Sequence, residues 1–460
     1  MNRLSVVWFR DDLRVADNPA LTAAINRGSP VLALYVLDEE SPRLRALGRA
    51  SQWWLHQSLL SLEQSLLALN IPLVLRRGAA GSVVTDVVRE SGATALFWNR
   101  RYGAGEIAVD TELKKRLRDD GLHIESFQAS LLFEPWTIRT GQGSPYSVFT
   151  PFWRACRNNA NELRPPLAVP QRNTRPAPVI DSERIDNWAL QPVNPDWAEG
   201  LRQTWIPGEA NAHQRLHEFL HDDLEAYSTG RDIPAEQVTS GLSPHIRWGE
   251  LSAHQIWHKV EQARADLSPI AAEGATKFLT EIGWREFAWH VLFHFPNLSK
   301  FHWRTDFDNF PWRTNHTDEL GAWQRGKTGY PIVDAGMREL WRTGTMHNRV
   351  RMVAASFLTK NLLIDWRLGE QWFWDTLVDA DQASNPFNWQ WVAGSGVDAA
   401  PYFRVFNPEL QAKKFDPRGI YIRRHIPEWG SDNYPQPIVD LSESRVGALA
   451  AYQNLKKDGS

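Results

Sequence analysis

The chain has 460 residues, 42% of them hydrophobic and 23% charged, with a net charge of −3. That length holds two or three domains with ample core, and the weak net charge excludes a global basic field, so any nucleic-acid surface must be local. The single cysteine, Cys156, excludes an intramolecular disulfide and a cysteine-built metal site, and it fits a reducing compartment.

The first ~130 residues alternate strand and helix patterns. Predicted strands are Leu4–Phe9, Val31–Leu37, Ile71–Leu75, Ala93–Trp98 and Ile124–Phe127. Asp17-Asn18-Pro19 is a capped helix start, and Ala50–Leu69, Val83–Arg89 and Ile107–Leu117 have helical spacing. Apolar runs between amphipathic segments imply a parallel sheet with helical crossovers. Gly78-Ala-Ala-Gly81 reads as a plain turn. From 131 to 206 the pattern breaks up around Pro165, Pro166, Pro170, Pro176 and Pro178, as in a connector crossing the surface. Beyond Glu209 the signals are helical, at Ala212–Tyr227, Leu251–Ala265, Ala275–Phe295, Ile332–Trp341, Val350–Leu363 and Gln371–Val378. The expected architecture is an α/β domain over 1–130, a connector over 131–206 and an all-α domain over 207–460. Arg10 and Asp11 come too early for a signal peptide, and no apolar run is long enough to span a bilayer, so the chain reads as cytoplasmic.

Tryptophan is the outlier, at 23 residues against 9 tyrosines. Indoles serve as stacking platforms or as one-electron relays. The segment from Asp379 to Asn407 concentrates acids, Asn385, Trp389, Trp391 and small residues. It reads either as a binding loop for something flat and polar-edged or as a packed aromatic loop. Thr239, Ser240 and Ser243 cluster hydroxyls before a predicted helix, which suits a phosphate or a simple helix cap. Glu281 and Arg285 lie one turn apart with Trp284 beside them, as a salt bridge or as a pocket wall. Asn348, Arg349 and Arg351 lie near a helix N-terminus, where the dipole attracts anions; His347 beside them is a proton donor or a ligand, with no second metal-spaced group. Arg404, Lys413, Lys414, Arg418, Arg423 and Arg424 alternate with Tyr402, Phe403, Phe406, Phe415 and Tyr421, which suits a nucleic-acid backbone with exposed bases or plain solvated charge. Hydrolase, nucleotide-hydrolysing and zinc motifs are absent from the sequence.

Together these segments resemble the photolyase/cryptochrome family, and most of all the bacterial cyclobutane pyrimidine dimer photolyases. The likeness runs from Trp8-Phe-Arg-Asp-Asp-Leu-Arg through Val148-Phe-Thr-Pro-Phe, Thr239-Ser-Gly-Leu-Ser, Trp284-Arg-Glu-Phe, Gly326-Lys-Thr-Gly-Tyr-Pro-Ile-Val-Asp and Met346-His-Asn-Arg. It continues in Trp389-Gln-Trp, Asp398-Ala-Ala-Pro-Tyr-Phe-Arg and Tyr434-Pro-Gln-Pro-Ile-Val. The resemblance implies a Rossmann-like, antenna-binding first domain and a helical FAD-binding domain.

By the same resemblance, Tyr227, Thr239, Ser240, Gly241, Leu242 and Ser243 match phosphate-side positions for FAD. Arg285, Arg351, Asp379, Ala380 and Asp381 match its remaining contacts, and Asn385 faces flavin N5. Glu281, Asn348, Trp284, Trp391 and Met352 match the dimer pocket, with a protonated Glu281 and Asn348 as hydrogen-bond donors to the thymine carbonyls. Trp389, Trp366 and Trp312 match an electron-transfer chain. Arg231, Asn348, Arg349 and Gln411 match DNA contacts. Glu106 and Lys300 match antenna contacts for 5,10-methenyltetrahydrofolate, with 8-hydroxy-5-deazaflavin, a second flavin or no antenna as alternatives. The activity implied is light-driven dimer repair by electron transfer from reduced FAD, on UV-damaged DNA with the dimer flipped out, by a cytoplasmic, nucleoid-associated monomer. Asn385, where plant cryptochromes carry Asp, favours repair over blue-light signalling, as does the lack of a long extension after Lys457. Asn348 and Met352 argue against a (6-4) photolyase, which has His there. Two departures stand out: Thr345 replaces a usual Trp, and Gly105 stands where an Asn would help hold a folate.

Overall fold

The computed structural model describes residues 4–399 and 403–458. Part of the Asp398-Ala-Ala-Pro-Tyr motif, Tyr402 included, therefore lies outside the described residues.

Five strands, β1 (Ser5–Phe9), β2 (Val31–Leu37), β3 (Leu73–Arg77), β4 (Ala95–Asn99) and β5 (His123–Phe127), form one sheet in the order β3-β2-β1-β4-β5. Every neighbouring pair is parallel. Helices α1 (Pro19–Asn26), α2 (Arg49–Ala68), α3 (Ala80–Ser91) and α4 (Ala104–Asp119) make the four crossovers. Strand alternation sends Val7, Phe9, Ala33 and Tyr35 to the face covered by α1 and α2. Val6, Trp8, Leu32 and Leu34 go to the face covered by α3 and α4. Burial on both faces is why these strands read as nearly unbroken apolar runs. Asn18 caps α1 as its sequence suggests, its side chain accepting from the Leu21 amide at 3.1 Å.

The segment read as a connector carries more structure than its prolines announced. It holds a helix at Phe149–Asn158 and another at Glu199–Thr204. Phe149, Phe152, Trp153 and Cys156 bury one face of the first. The spacing was helical, but the helix is short and its flanks mask it.

The second domain is helical, and among the described residues strands are confined to the first. The continuous helix expected over Ala212–Tyr227 is Glu209–Glu218 and Leu224–Gly230 with a wide π turn at Phe219–Asp223 between them. Val350–Leu363 likewise divides into Asn348–Ser356 and a π turn at Phe357–Asn361. Such turns insert one extra residue and re-aim the side chains after them. The Asp379–Asn407 stretch, read as a loop, contains a helix at Ser384–Ala393. Asp381 supplies its start, one carboxylate oxygen accepting from the amides of Ala383 and Ser384 at 2.8 and 2.5 Å. Gly394, at φ 91°, ends it in the left-handed region. The helices Thr317–Gln324, Pro408–Phe415, Ile420–His425 and Leu441–Asp458 were not anticipated.

The two domains are joined by buried polar contacts. Glu209 accepts from the amides of Val15 and Ala16, both at 2.8 Å. Arg247 reaches Asp11 at 2.9 Å, and Arg45 holds Glu370 through two bonds of 2.7 and 2.9 Å.

Candidate active site

A cavity of about 510 Å³ opens in the helical domain. Its walls come from the Leu224–Gly230 helix and the segment after it, and from the helices Pro269–His294, Asn348–Ser356, Trp366–Thr376 and Ser384–Ala393. The volume suits a ligand of cofactor size.

One set of lining groups is acidic and amide-bearing. Arg351 forks onto Asp379 at 3.2 and 3.0 Å, and the Ser243 hydroxyl donates to the same carboxylate at 2.7 Å. Arg351 also reaches the Thr345 hydroxyl at 3.3 Å, so the residue that replaces an indole takes part in orienting this guanidinium. Asn385 donates its Nδ2 to the Glu370 side chain at 2.8 Å and to the Glu370 carbonyl at 3.1 Å. That leaves the Asn385 carbonyl oxygen as an acceptor toward the cavity. Glu370 is 2% exposed and is itself held by Arg45.

The other set is aromatic and neutral or ionic. Trp284, Trp391, Met352, Asn348 and Glu281 all line the same cavity. Trp284 stacks on Phe149 with ring centroids 3.6 Å apart and planes 9° apart. The Trp391 Nε1 donates to the Asp398 carbonyl at 3.2 Å, which fixes the indole. Glu281 does not pair with Arg285, as its helical spacing allows. It takes Arg231 at 2.6 Å, while Arg285 donates to the Ser130 carbonyl at 2.9 Å. Burial pushes the Tyr227 phenol well above its ordinary pKa. It also pulls His347 down to about 4, so His347 is a neutral cap that accepts from the Arg349 amide at 3.2 Å.

Not every expected residue reaches the cavity. Ser240 and Ser243 line it, but Thr239, Gly241 and Leu242 do not. The Thr239 and Ser240 carbonyls accept from Arg215 at 3.1 and 2.9 Å, and Leu242 is fully buried in the core. Thr239, Gly241 (φ 63°) and Leu242 form the turn that leads into the Ser243–Arg247 helix. Arg349 and Gln411 also lie off the lining; Arg349 pairs with Asp232 at 2.9 Å and covers Phe415 at 4.5 Å.

Of the three tryptophans expected to relay electrons, one lines the cavity. Trp389 lines it and is 2% exposed. Trp366 lies on the neighbouring helix, where Gly369 makes room for the Trp389 ring. Trp366 donates to His302 at 3.2 Å, and His302 stacks on Trp312 with centroids 6.5 Å apart. Nothing in the linear spacing pointed to that intervening imidazole.

Glu106 and Lys300 line adjoining depressions that share Leu44, Arg45 and Gln382. Lys300 lines an interdomain cleft of about 590 Å³ with Arg43, Arg45, Gly105 and Gln371. Glu106 is buried at the carboxyl edge of the sheet, beside Arg10, Tyr35 and Arg101, and accepts from Gln382. A Cβ at Gly105 would lie 2.8 Å from the Arg43 carbonyl oxygen, so this backbone approach is what excludes the Asn.

Functional neighbours missed from sequence are Phe149, Glu370, Arg247 and His302. Phe149 lay inside a motif already singled out, but nothing in linear spacing connects it to Trp284. The others are buried polar groups whose partners are remote in sequence.

Comparison with known proteins agrees with this geometry. Residues 5–171 match the DNA photolyase family, and residues 278–431 match the FAD binding domain of DNA photolyase. The chain is 47% identical over 477 residues to a deoxyribodipyrimidine photo-lyase of Agrobacterium fabrum, covering 98% of each. It is 36% identical to cryptochrome-1 of Arabidopsis thaliana, covering 96% of this chain and 69% of that one. A crystal structure of a bacterial class III photolyase from Agrobacterium tumefaciens superposes with a TM-score of 0.95 at 46% identity, covering 99% of this chain and 98% of that one.

Proposed function

The chain belongs to the DNA photolyase and cryptochrome family, and from that premise we propose that it is a deoxyribodipyrimidine photo-lyase that splits cyclobutane pyrimidine dimers in DNA under light. The observation that carries this reading is one cavity lined both by Asp379, Asp381 and Asn385 and by Glu281, Trp284, Asn348, Met352 and Trp391. A flavin and a lesion thereby share one enclosure.

FAD fits the first set. The Asn385 carbonyl is a free acceptor for a ring N–H, and the Arg351–Asp379 pair offers a fixed charge at a polar ring or sugar edge. Ser240 offers a hydroxyl to its phosphates. When bound, FAD in its reduced form supplies on light absorption the electron that opens the dimer and receives it back. The chain provides the rest. Trp284, backed by Phe149, and Trp391 replace the stacking that a flipped dinucleotide loses. Asn348 and Glu281 sit where pyrimidine carbonyls need donors. Trp389, Trp366 and Trp312 form the route by which electrons reach the cavity from the surface. Arg231, Arg349 and Gln411 hold the DNA backbone.

The interdomain cleft is our site for methenyltetrahydrofolate, because Arg43, Arg45 and Lys300 present cations to its carboxylates. Glu106 lines an adjoining depression that shares Leu44, Arg45 and Gln382 with the cleft. The protein acts as a monomer in the cytoplasm at the nucleoid. No helix among the described residues is long and apolar enough to cross a membrane.

The test is repair of a synthetic oligonucleotide carrying one cyclobutane thymine dimer, with reduced protein, under blue light and in the dark. The expected result is light-only loss of the dimer. Tight binding without loss overturns the reading, and a (6-4) photoproduct is then the next substrate.

A further inference from the structure

Glu281 is ion-paired at 2.6 Å with Arg231, which also lies over the Tyr227 ring at 5.3 Å. As an ionised carboxylate it is an acceptor only, and so is a pyrimidine carbonyl. The two repel as the cavity stands, so the lesion needs this oxygen to carry a proton.

Among the described residues, Glu281 has one cationic partner, Arg231. Every other guanidinium around the cavity already has an anion or carbonyl of its own. On the same helix, Arg285 has the Ser130 carbonyl at 2.9 Å and Glu286 at 3.5 Å. From the Asn348–Ser356 helix, Arg349 has Asp232 at 2.9 Å and Arg351 has Asp379 at 3.0 Å. Arg247, packed below, has Asp11 at 2.9 Å. The remaining titratable groups facing the pair are acids or neutral: Asp232, Tyr227, Asp379, Asp381 and His347. Remove Arg231, and Glu281 keeps only like charges and partnered cations among the described residues.

Arg231 is also placed to leave. Its side chain is 15% exposed and that of Glu281 35%, so the pair sits where solvent and a docking backbone reach it. A guanidinium forks onto phosphate oxygens at least as well as onto one carboxylate oxygen. An entering pyrimidine strips water from Glu281 at the same time, which favours the neutral acid.

We propose that Arg231 is exchanged between two anions, Glu281 in the free protein and a DNA phosphate beside the flipped dimer in the complex, and that Glu281 takes up one proton from solvent as the exchange occurs. The proposal deepens the dimer-repair reading and rests on it. The step is a protonation alone: one proton moves from water or buffer to the Glu281 carboxylate, no bond in the DNA forms or breaks, and nothing is oxidised or reduced. The neutral carboxyl then donates to a pyrimidine carbonyl. Backbone and base are thereby read together, because a phosphate without a carbonyl, or a carbonyl without a phosphate, completes only half of the exchange.

The experiment is calorimetric binding of a dimer-containing oligonucleotide to the flavin-loaded protein, in the dark, in buffers of different ionisation enthalpy. The same sample is then assayed for repair under light. One proton is taken up per oligonucleotide bound, and the affinity falls as pH rises. Glu281→Gln abolishes the uptake and flattens the pH dependence. A thymine dimer lacking sugar and phosphate binds with no uptake, because nothing draws Arg231 away. Light-dependent repair without proton uptake overturns the exchange and leaves the repair reading standing. Equal uptake with the phosphate-free dimer also overturns it, since desolvation alone then protonates Glu281. Failure to bind and repair the lesion overturns both.

Discussion

Trp284 and Phe149, with centroids 3.6 Å apart, present one stiff aromatic wall rather than two mobile rings. Trp284→Ala is expected to weaken binding of a dimer-containing oligonucleotide by about 1–3 kcal/mol, the usual worth of one base-stacking ring. Phe149→Ala is expected to cost less, since Phe149 acts only by backing Trp284; titration of both variants gives the order. Trp366→Phe keeps the packing and removes the easily oxidised indole. Photoreduction of the bound flavin is expected to slow by orders of magnitude while lesion affinity stays as it was, which flash spectroscopy and a binding titration check separately. At this scale the sequence is legible where chemistry is concentrated in short motifs. Glu281, Trp284, Asn348, Met352 and Trp391 were all named from such motifs, and all five line one cavity. Glu370 and His302 were illegible because each is defined by a partner distant in the chain, Asn385 in one case and Trp366 in the other.

Between neighbouring helices the decisive feature is close approach. A Cβ at Gly369 would meet the Trp389 ring at 2.2 Å. Gly369→Ala is therefore expected to destabilise the fold by about 1–3 kcal/mol through overpacking. It also displaces the ring that borders the cavity, so flavin photoreduction slows in the same variant; thermal unfolding and flash kinetics read the two effects. Helices with a plain apolar stripe, such as Pro269–His294, were visible in sequence. The Ser384–Ala393 helix was hidden because its propensity is poor and its start depends on the Asp381 carboxylate rather than on periodicity. The two π turns were hidden because a hydrophobic count does not register one inserted residue. The parallel sheet was legible throughout, since burial on both faces leaves only one reading of its apolar runs.

For the whole molecule, burial dominates the titration of histidine. His254, His290, His302, His347 and His425 are each lowered to about 4 by desolvation. A base whose folded pKa is depressed contributes stability above its unfolded pKa of about 6.5, and loses it as pH falls toward the folded value. Glu286 runs the other way: burial raises it to about 7, and its share is lost as pH rises from about 4.5 to that value. Glu209, Asp223, Asp334, Glu339 and Asp398 are raised in the same direction, but the lowered histidines are more numerous, so stability is expected to drop between about pH 6.5 and about pH 4. Denaturant midpoints measured across that range check the slope, and His302→Gln is expected to flatten part of it.

The chain of contacts from Arg45 through Glu370 to Asn385 starts in the first domain and ends at an amide on the cavity wall, where we propose the flavin binds. How the first domain is seated therefore reaches the electronic surroundings of the chromophore through two charged side chains and one amide. The absorption spectrum of the bound flavin is in consequence an optical gauge of domain seating, readable in the dark and without DNA. Arg45→Ala would shift that gauge while leaving every residue of the cavity wall in place.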